Sequence, residues 1–285
     1  MDHIGEFFPD SPIWFRWLGR LAAPLFFYAL AVGFQHTRNR KKYLLRLYLA
    51  NVGMVFFNQI MCMLQRKLDY VAYQPKNHNI FTTLFCAGVL ICIWENRKEK
   101  KKFFTYIGIY IFWQAMVMGL AILAEAFDCV WRGNALLQTV LRTNYIFPLL
   151  GGIWDAEGGV FFIVLGVWLY CAVENKWKLA LRYILFCGAY MFMCQGDILY
   201  RIMSRFSFWG YHKLADVIYF GSSFVGIPLG TSDLSLLTEF YQWMMIGALP
   251  IMLSCNGKRG KSLKWLFYAA YPLQFLVLYG ISYYK

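Results

Sequence analysis

The sequence predicts an all-α, polytopic membrane bundle with about 8–9 transmembrane helices. Of the 285 residues, 60% are hydrophobic and 15% are charged, whereas soluble domains average nearer half and a quarter. Several apolar runs reach the roughly 17–25 residues that cross a bilayer. These runs, such as FFTYIGIYIFWQAMVMGLAILAEA, are apolar on all sides, which favours helices over the alternating strands of a β-barrel.

Long apolar runs separated by charged clusters define the predicted elements in chain order. Each run begins or ends where Lys and Arg gather, or where Gly, Pro and polar residues interrupt the apolar pattern. We treat the whole chain, 1–285, as one transmembrane domain. The predicted spans are 13–36, 43–64, 80–94, 103–125, 158–173, 179–199, 238–254 and 265–283. A weaker run at 214–230, rich in Gly and Ser, is predicted to be re-entrant or interfacial.

The basic residues fall on alternate connections, which predicts the orientation of the chain. Clusters follow the first span, the third span, the fifth span and the seventh span, so the positive-inside rule places all four in the cytoplasm. They contain Arg38, Arg40, Lys41 and Lys42, then Arg97, Lys98, Lys100, Lys101 and Lys102, then Lys176 and Lys178, and finally Lys258, Arg259, Lys261 and Lys264. The net charge of +13 is therefore assigned to topology and anionic lipid, and no nucleic-acid partner is expected.

The cysteines indicate neither disulfides nor a metal site. Most of the eight lie inside apolar runs, no CxxC pair occurs, and no histidine stands at ligand spacing from them. We therefore expect reduced packing residues and no metal.

Groups suited to proton transfer gather at the predicted outer side. His3 follows Asp2 there, and histidine is the side chain that most often acts as a general base. The alternative is an interfacial polar pair that caps a helix. Arg20 lies inside the first predicted span, where arginine needs a partner or must snorkel to the interface. Its candidate partners are Asp2 and Asp155.

Two cytoplasmic segments have a composition suited to phosphate. The first contains His36, Thr37, Arg38, Asn39, Arg40, Lys41 and Lys42, and the second contains Asn256, Gly257, Lys258, Arg259, Gly260 and Lys261. Arg and Lys pair with phosphate oxygens, and glycines let backbone N–H groups approach an anion. The alternative is that these clusters only fix the topology. Together they indicate a cytoplasmic site for a phosphorylated ligand.

Four blocks of the sequence resemble the TraX family, integral-membrane proteins named for N-terminal acetylation of conjugative pilin and distantly similar to transmembrane acyltransferases. The blocks are DHIG, GRLAAPLFFYALAVGFQHTRNRKKYLLRL, HNIFTTLFCAGVL and ALPIMLSCNGKRGKSLKWLFYAAYPLQ. The resemblance implies transfer of an acetyl group from cytoplasmic acetyl-CoA to an amine or hydroxyl acceptor outside, either a pilin N-terminus or a surface polymer. It also implies a location in the bacterial plasma membrane.

The resemblance also implies roles for individual residues. His3 becomes the candidate base with Asp2 beside it, and the two basic segments are assigned to the phosphates of coenzyme A. With this function, Arg20 and Asp155, which the residues alone single out, and Gln274, which lies in the family pattern, are the expected acceptor-binding residues. Two departures stand out: the family's first helix is nearly absent here, and Gln274 replaces a histidine of the family pattern. Because glutamine takes up no proton at neutral pH, this second departure keeps a catalytically altered homologue among the alternatives.

Two further functions stay open from the residues alone. The first is a transporter or flippase for an acidic lipid or metabolite that uses Arg20. The second is a non-catalytic partner in pilus or surface-polymer assembly. We see no internal repeat of the kind that many transporters show.

Overall fold

A computed structural model describes residues 2–8, 10–67, 79–130, 143–154, 156–194, 241–255 and 264–283, together with positions 205, 213, 218, 221 and 237–238. All regular structure in these ranges is helical. In chain order the α-helices are α1 (Asp2–Phe7), α2 (Trp14–Gly19), α3 (Ala22–His36), α4 (Arg40–Lys67), α5 (Ile80–Glu95), α6 (Lys100–Val130), α7 (Thr143–Leu149), α8 (Gly159–Tyr170), α9 (Lys176–Cys194), α10 (Leu249–Ser254) and α11 (Lys264–Tyr283). Short 3₁₀ helices cover Asn96–Lys98 and Tyr241–Ala248.

Five helical segments among the described residues are long and apolar enough to cross a membrane. They are Trp14–His36, Arg40–Leu64, Ile80–Lys98, Lys100–Ala124 and Leu266–Tyr283. Helices suit this environment because all their backbone hydrogen bonds form within the segment. These five correspond to five of the predicted spans, so an integral membrane protein is confirmed, while the total of 8–9 spans stays a prediction.

Two other predicted spans differ in form. The span at 158–173 is the helix α8 of 12 residues, which is about 18 Å long and too short by itself for a hydrocarbon core of roughly 30 Å. The span at 238–254 is wrong as one α-helix, because a 3₁₀ helix at Tyr241–Ala248 precedes α10. Pro250 lies in the first turn of α10, where its missing N–H needs no helical acceptor. The predicted segment 214–230 lies outside the described residues except for positions 218 and 221.

The chain divides into two compact units. The first contains Met1–Val32 and Trp168–Lys285, and the second contains Gly33–Val167. In the first unit α1 packs on α2 and α11, and the 3₁₀ helix at Tyr241–Ala248 packs on α2 and α9. Tyr183 of α9 is fully buried and donates its hydroxyl hydrogen to the Met245 carbonyl. Whether the whole chain forms one domain stays a prediction.

In the second unit α4 packs on α5 and α7, and α6 packs on α5 and α7. The segment from α7 to the start of α8 contains carbonyl groups that side chains of these helices cover. Asn51 of α4 donates to the Pro148 carbonyl at 2.6 Å, and Gln114 of α6 donates to the Gly151 carbonyl at 3.1 Å. Non-helical backbone is tolerated at membrane depth only where protein or water satisfies it. This segment therefore inserts between the middles of the helices, whereas the sequence predicts only a connection there.

Candidate functional site

An ion pair between Arg20 and Asp2 is the polar centre of the first unit. Arg20 Nη2 lies 2.8 Å from Asp2 Oδ1, and Arg20 Nη1 donates to Gln242 Oε1 at 2.8 Å. The guanidinium also lies over the Tyr241 ring, 5.1 Å from its centroid. These contacts stabilise a charge that is costly within a membrane segment. Of the two candidate partners for Arg20, the structure pairs Asp2, and Asp155 lies outside the described residues.

Close packing of α1 on α2 makes this pair possible. A Cβ atom added to Gly19 would lie only 2.1 Å from the Asp2 Cβ atom, so α1 contacts α2 at a position with no side chain. Arg16, one helical turn before Arg20, donates to the Gly5 carbonyl of α1 at 3.0 Å. Both arginines of the first predicted span therefore bind α1.

His3 lies next to this ion pair in the chain but points to other residues. Its ring packs 4.4 Å from the Phe275 ring and 6.3 Å from the Tyr271 ring of α11. Its Nδ1 atom lies 3.5 Å from Glu6 Oε2, one helical turn further on. The carboxylate that contacts His3 is therefore that of Glu6, while Asp2 pairs with Arg20. Glu6, which the sequence analysis did not single out, is the carboxylate placed to orient the His3 ring.

The first basic segment begins the second unit, and Arg40 is its structural centre. Arg40 makes a forked contact with Glu95, with Nη2–Oε1 at 2.9 Å and Nε–Oε2 at 3.4 Å. It also donates to the Phe34 and Thr37 carbonyls and lies over the Phe34 ring. Arg40 thus holds the end of α3 against the end of α5. Its guanidinium is engaged by protein groups, so a positioning role fits it better than the direct phosphate contact implied by the resemblance.

The other residues of this segment divide into capping and exposed side chains. Asn39 caps α4, because its Oδ1 accepts the Lys42 backbone N–H at 2.9 Å. Thr37 is partly buried, whereas His36, Arg38, Lys41 and Lys42 are exposed. The exposed cations are the ones available to a ligand.

A second cluster of cations lies beside the first because Glu95 ends α5. Arg97, Lys98, Lys100 and Lys101 follow Glu95 within six residues and are exposed. Glu99 pairs with Lys102 at 2.7 Å. We name the exposed cations of both clusters, apart from Lys102, which pairs with Glu99, the basic surface; its members are Arg38, Lys41, Lys42, Arg97, Lys98, Lys100 and Lys101. Two helices, α4 and α6, also begin here with no acid in their first turns, so their positive dipole ends add to the attraction for anions.

Of the remaining predicted site residues, the structure describes only Gln274. Asn256, Gly257, Lys258 and Arg259 lie outside the described residues, so the pairing of the two basic loops stays a prediction. Gln274 is exposed on α11, between the buried residues Tyr271 and Phe275 that contact His3. The described residues include no group of His, Cys, Asp and Glu arranged to hold a metal.

Several polar residues that the sequence analysis did not single out are half-buried or buried. The half-buried residues Gln242 and Glu95 bind Arg20 and Arg40. Asn51, Asn79 and Gln114 are 0%, 3% and 4% exposed. The available signal was a polar side chain inside or beside an apolar run, because polar groups there usually hydrogen-bond across helices.

Helical segments of membrane-spanning length, together with half-buried ion pairs at Arg20 and Arg40, indicate an integral membrane protein. The profile of the family described as TraX protein matches residues 1–195. The chain belongs to the TraX family, as the sequence blocks predict. The fourth block, 248–274, lies beyond the matched residues. No curated protein and no solved structure matches the chain.

Proposed function

We propose that this protein is a membrane acyltransferase that moves an acetyl group from cytoplasmic acetyl-CoA to an amine or hydroxyl at the outer side. Membership of the TraX family points to a function connected with conjugative pilin, so a pilin N-terminus is the first acceptor to test and a surface polymer the second. The observation that carries the proposal is the basic surface, on the side that the charge distribution assigns to the cytoplasm.

Coenzyme A requires such a surface because it carries a 3′-phosphate and a pyrophosphate. Arg and Lys side chains bind phosphate oxygens through charge-assisted hydrogen bonds. The ion pair of Arg40 with Glu95 keeps the start of α4 beside the end of α5, which brings Arg38 and Lys41 to the same surface as Lys98 and Lys100. We assign Arg38 and Lys41 to the phosphates and give Arg40 the role of a positioning residue.

The transfer step needs a base for the acceptor. The acceptor nitrogen or oxygen attacks the thioester carbonyl carbon, the new bond to the acetyl group forms, and the carbon–sulfur bond breaks. In the proposal His3 takes the proton from the acceptor and returns a proton to the departing sulfur of coenzyme A. Glu6, 3.5 Å from His3 Nδ1, would orient the ring.

The transport alternative depends on Arg20 as the group that binds an acidic cargo. Arg20 is paired with Asp2 and also donates to Gln242, so its charge is already compensated. We therefore favour acyl transfer. A protein with a non-catalytic role in pilus assembly would not bind acetyl-CoA. The following experiment distinguishes that role from acyl transfer.

The test is the thermal stability of detergent-purified protein with acetyl-CoA. Ligand at about 100 times its Kd stabilises a protein by roughly 2.7 kcal/mol, or about 5–10 °C for a chain of this size. We expect Arg38→Ala and Lys41→Ala to weaken the apparent affinity by about tenfold each, a loss of roughly 1.4 kcal/mol. Lys178→Ala is the matched control, since Lys178 is exposed on the same predicted side but outside the basic surface.

S-acetylpantetheine provides a second control because it carries the thioester without the phosphates of coenzyme A. It should bind wild type and both variants equally. Equal stabilisation of wild type and variants by acetyl-CoA would contradict the assignment of the basic surface. No stabilisation of wild type would contradict the use of acetyl-CoA.

A further inference from the structure

Three polar side chains form a buried network between α4 and α5. Asn79, the residue before α5, donates from Nδ2 to Asn51 Oδ1 at 2.7 Å and to the Asn51 carbonyl at 3.2 Å. Thr82 donates from Oγ1 to the same Asn51 Oδ1 at 2.7 Å. All three residues are at most 3% exposed. The network is therefore closed to bulk water.

The orientation of the Asn79 amide follows from these contacts. Both groups that face its nitrogen are acceptors, the side-chain oxygen and the backbone carbonyl of Asn51. An exchanged amide would place two oxygens against each other, so Nδ2 must point to Asn51 and Oδ1 must point away from it. The oxygen is therefore not used in the contact with Asn51.

The Asn79 oxygen has no hydrogen-bond partner among the described residues. Asn79 occupies the N-cap position of α5, yet its side chain makes no capping hydrogen bond. A buried acceptor without a donor is unfavourable, and native proteins contain few of them. The donors of Asn79 and Thr82 both point to Asn51. The group that the network leaves for a ligand is therefore an acceptor, the Asn79 side-chain oxygen.

The network lies well away from the basic surface. The pair of Arg40 with Glu95 marks the end that is assigned to the cytoplasm. Along α4, Asn51 is about 16 Å from Arg40, and along α5, Asn79 is about 24 Å from Glu95, at 1.5 Å of rise per residue. These two paths place the hydrogen-bonded pair at the middle of a hydrocarbon core of roughly 30 Å or beyond it, toward the predicted outer side.

We propose that Asn79 Oδ1 receives the N–H or O–H group of a ligand that enters from the outer side, and that this ligand is the acyl acceptor. The second part rests on the proposed function, since an acceptor must present an amine or a hydroxyl. The first part rests on the network alone. A ligand with only acceptor atoms gains nothing from this oxygen, whereas an alcohol or amine satisfies it.

Two isomeric probes test the first part. Benzyl alcohol and anisole share one molecular formula, but only benzyl alcohol donates a hydrogen bond. Binding to the full-length protein in nanodiscs is measured by isothermal titration calorimetry, with benzylamine as a third probe. We expect benzyl alcohol and benzylamine to bind wild type about tenfold more tightly than anisole.

Asn79→Leu should abolish the preference for the donor probes, because it removes the accepting oxygen. Thr82→Val is the matched control: it removes another hydrogen bond of the same network but leaves the Asn79 oxygen, so the preference should persist. Equal binding of benzyl alcohol and anisole to wild type would overturn the inference. A preference that persists in Asn79→Leu would also overturn it.

Acetyl transfer to benzylamine separates this inference from the proposed function. If wild type transfers acetyl and Asn79→Leu raises the KM for benzylamine at unchanged KM for acetyl-CoA, both stand. If transfer occurs but does not depend on Asn79, the acceptor site is wrong and the proposed function stands. If donor probes bind through Asn79 and no transfer occurs, the site stands and the proposed function is wrong.

Discussion

Removing the contact between Arg40 and Glu95 should destabilise the second unit measurably. Each side chain is 28% exposed, so the pair lies between exposed pairs, worth about 0.2–1 kcal/mol, and buried pairs, whose disruption costs about 3–5 kcal/mol. Arg40→Met also removes donors from the Phe34 and Thr37 carbonyls. We expect the free energy of unfolding to fall by about 2–3 kcal/mol in Arg40→Met. In Glu95→Gln it should fall by only about 1 kcal/mol, since glutamine still accepts hydrogen bonds.

The double variant measures the contact itself. The free energy of unfolding lost in Arg40→Met/Glu95→Gln should be smaller than the sum of the losses in the two single variants by about 1–2 kcal/mol. The reason is that the second substitution removes an interaction that the first has already abolished. The assay is equilibrium unfolding in mixed micelles of dodecyl maltoside and sodium dodecyl sulfate, followed by tryptophan fluorescence. Arg40→Lys should recover only part of the stability, because lysine lacks the planar fork.

An exposed pair nearby provides the matched control. Lys102 and Glu99 lie 2.7 Å apart but are 56% and 61% exposed, so their double-variant cycle should show no measurable coupling. If the cycle at Arg40 and Glu95 is additive within about 0.5 kcal/mol, the reasoning that these residues join the two basic clusters is refuted.

Two glycine substitutions, each compared with a control glycine that has open space around it, test the packing around the sites in the same unfolding assay. Gly151 has φ +64° and a Cβ atom there would lie 2.8 Å from the Phe85 ring, so Gly151→Ala should cost at least about 1–2 kcal/mol. Gly188→Ala is the control: no atom lies within 4 Å of its added Cβ atom, so it should be neutral or stabilising by less than about 1 kcal/mol. Equal effects of Gly151→Ala and Gly188→Ala would contradict the close packing of the segment after α7. Gly19→Ala should cost about 1–3 kcal/mol by forcing α1 away from α2, whereas Gly53→Ala, where no atom lies within 4 Å, should not; stability unchanged in Gly19→Ala would contradict the packing that pairs Asp2 with Arg20.

The sequence predicts the helical class well because a bilayer permits few alternatives. Apolar runs of spanning length must be helices when their backbone groups have no water to bind, and the five confirmed segments follow from that. The exceptions arise where local chemistry interrupts a run. Pro250 lies in the first turn of α10, directly after a 3₁₀ segment, and hydropathy averaged over a window does not detect such a change of helix type.

Prediction of the candidate sites depends on sequence distance. Arg20 requires a partner because of its depth, and Asp2 was one of two candidates for it. Arg40 belongs to a cluster of four cations and one histidine, and nothing in that cluster indicates that the partner of Arg40 is Glu95, 55 residues away. The same holds for Asn51 and Asn79, 28 residues apart. A single sequence shows which polar groups need partners but not which partners the packing supplies.

The most direct test of the proposed function is transfer of labelled acetyl from acetyl-CoA by protein in sealed vesicles of known orientation. Acetyl-CoA is supplied only at the face that carries the basic surface, and a peptide with a free N-terminal amine is enclosed on the other side. The proposal predicts labelled peptide with wild type and a loss of at least about 100-fold with His3→Gln, the usual contribution of a general base. Equal labelling by wild type and His3→Gln would contradict the role of His3, and no labelling by wild type with either a peptide amine or a polysaccharide hydroxyl would contradict acyl transfer itself.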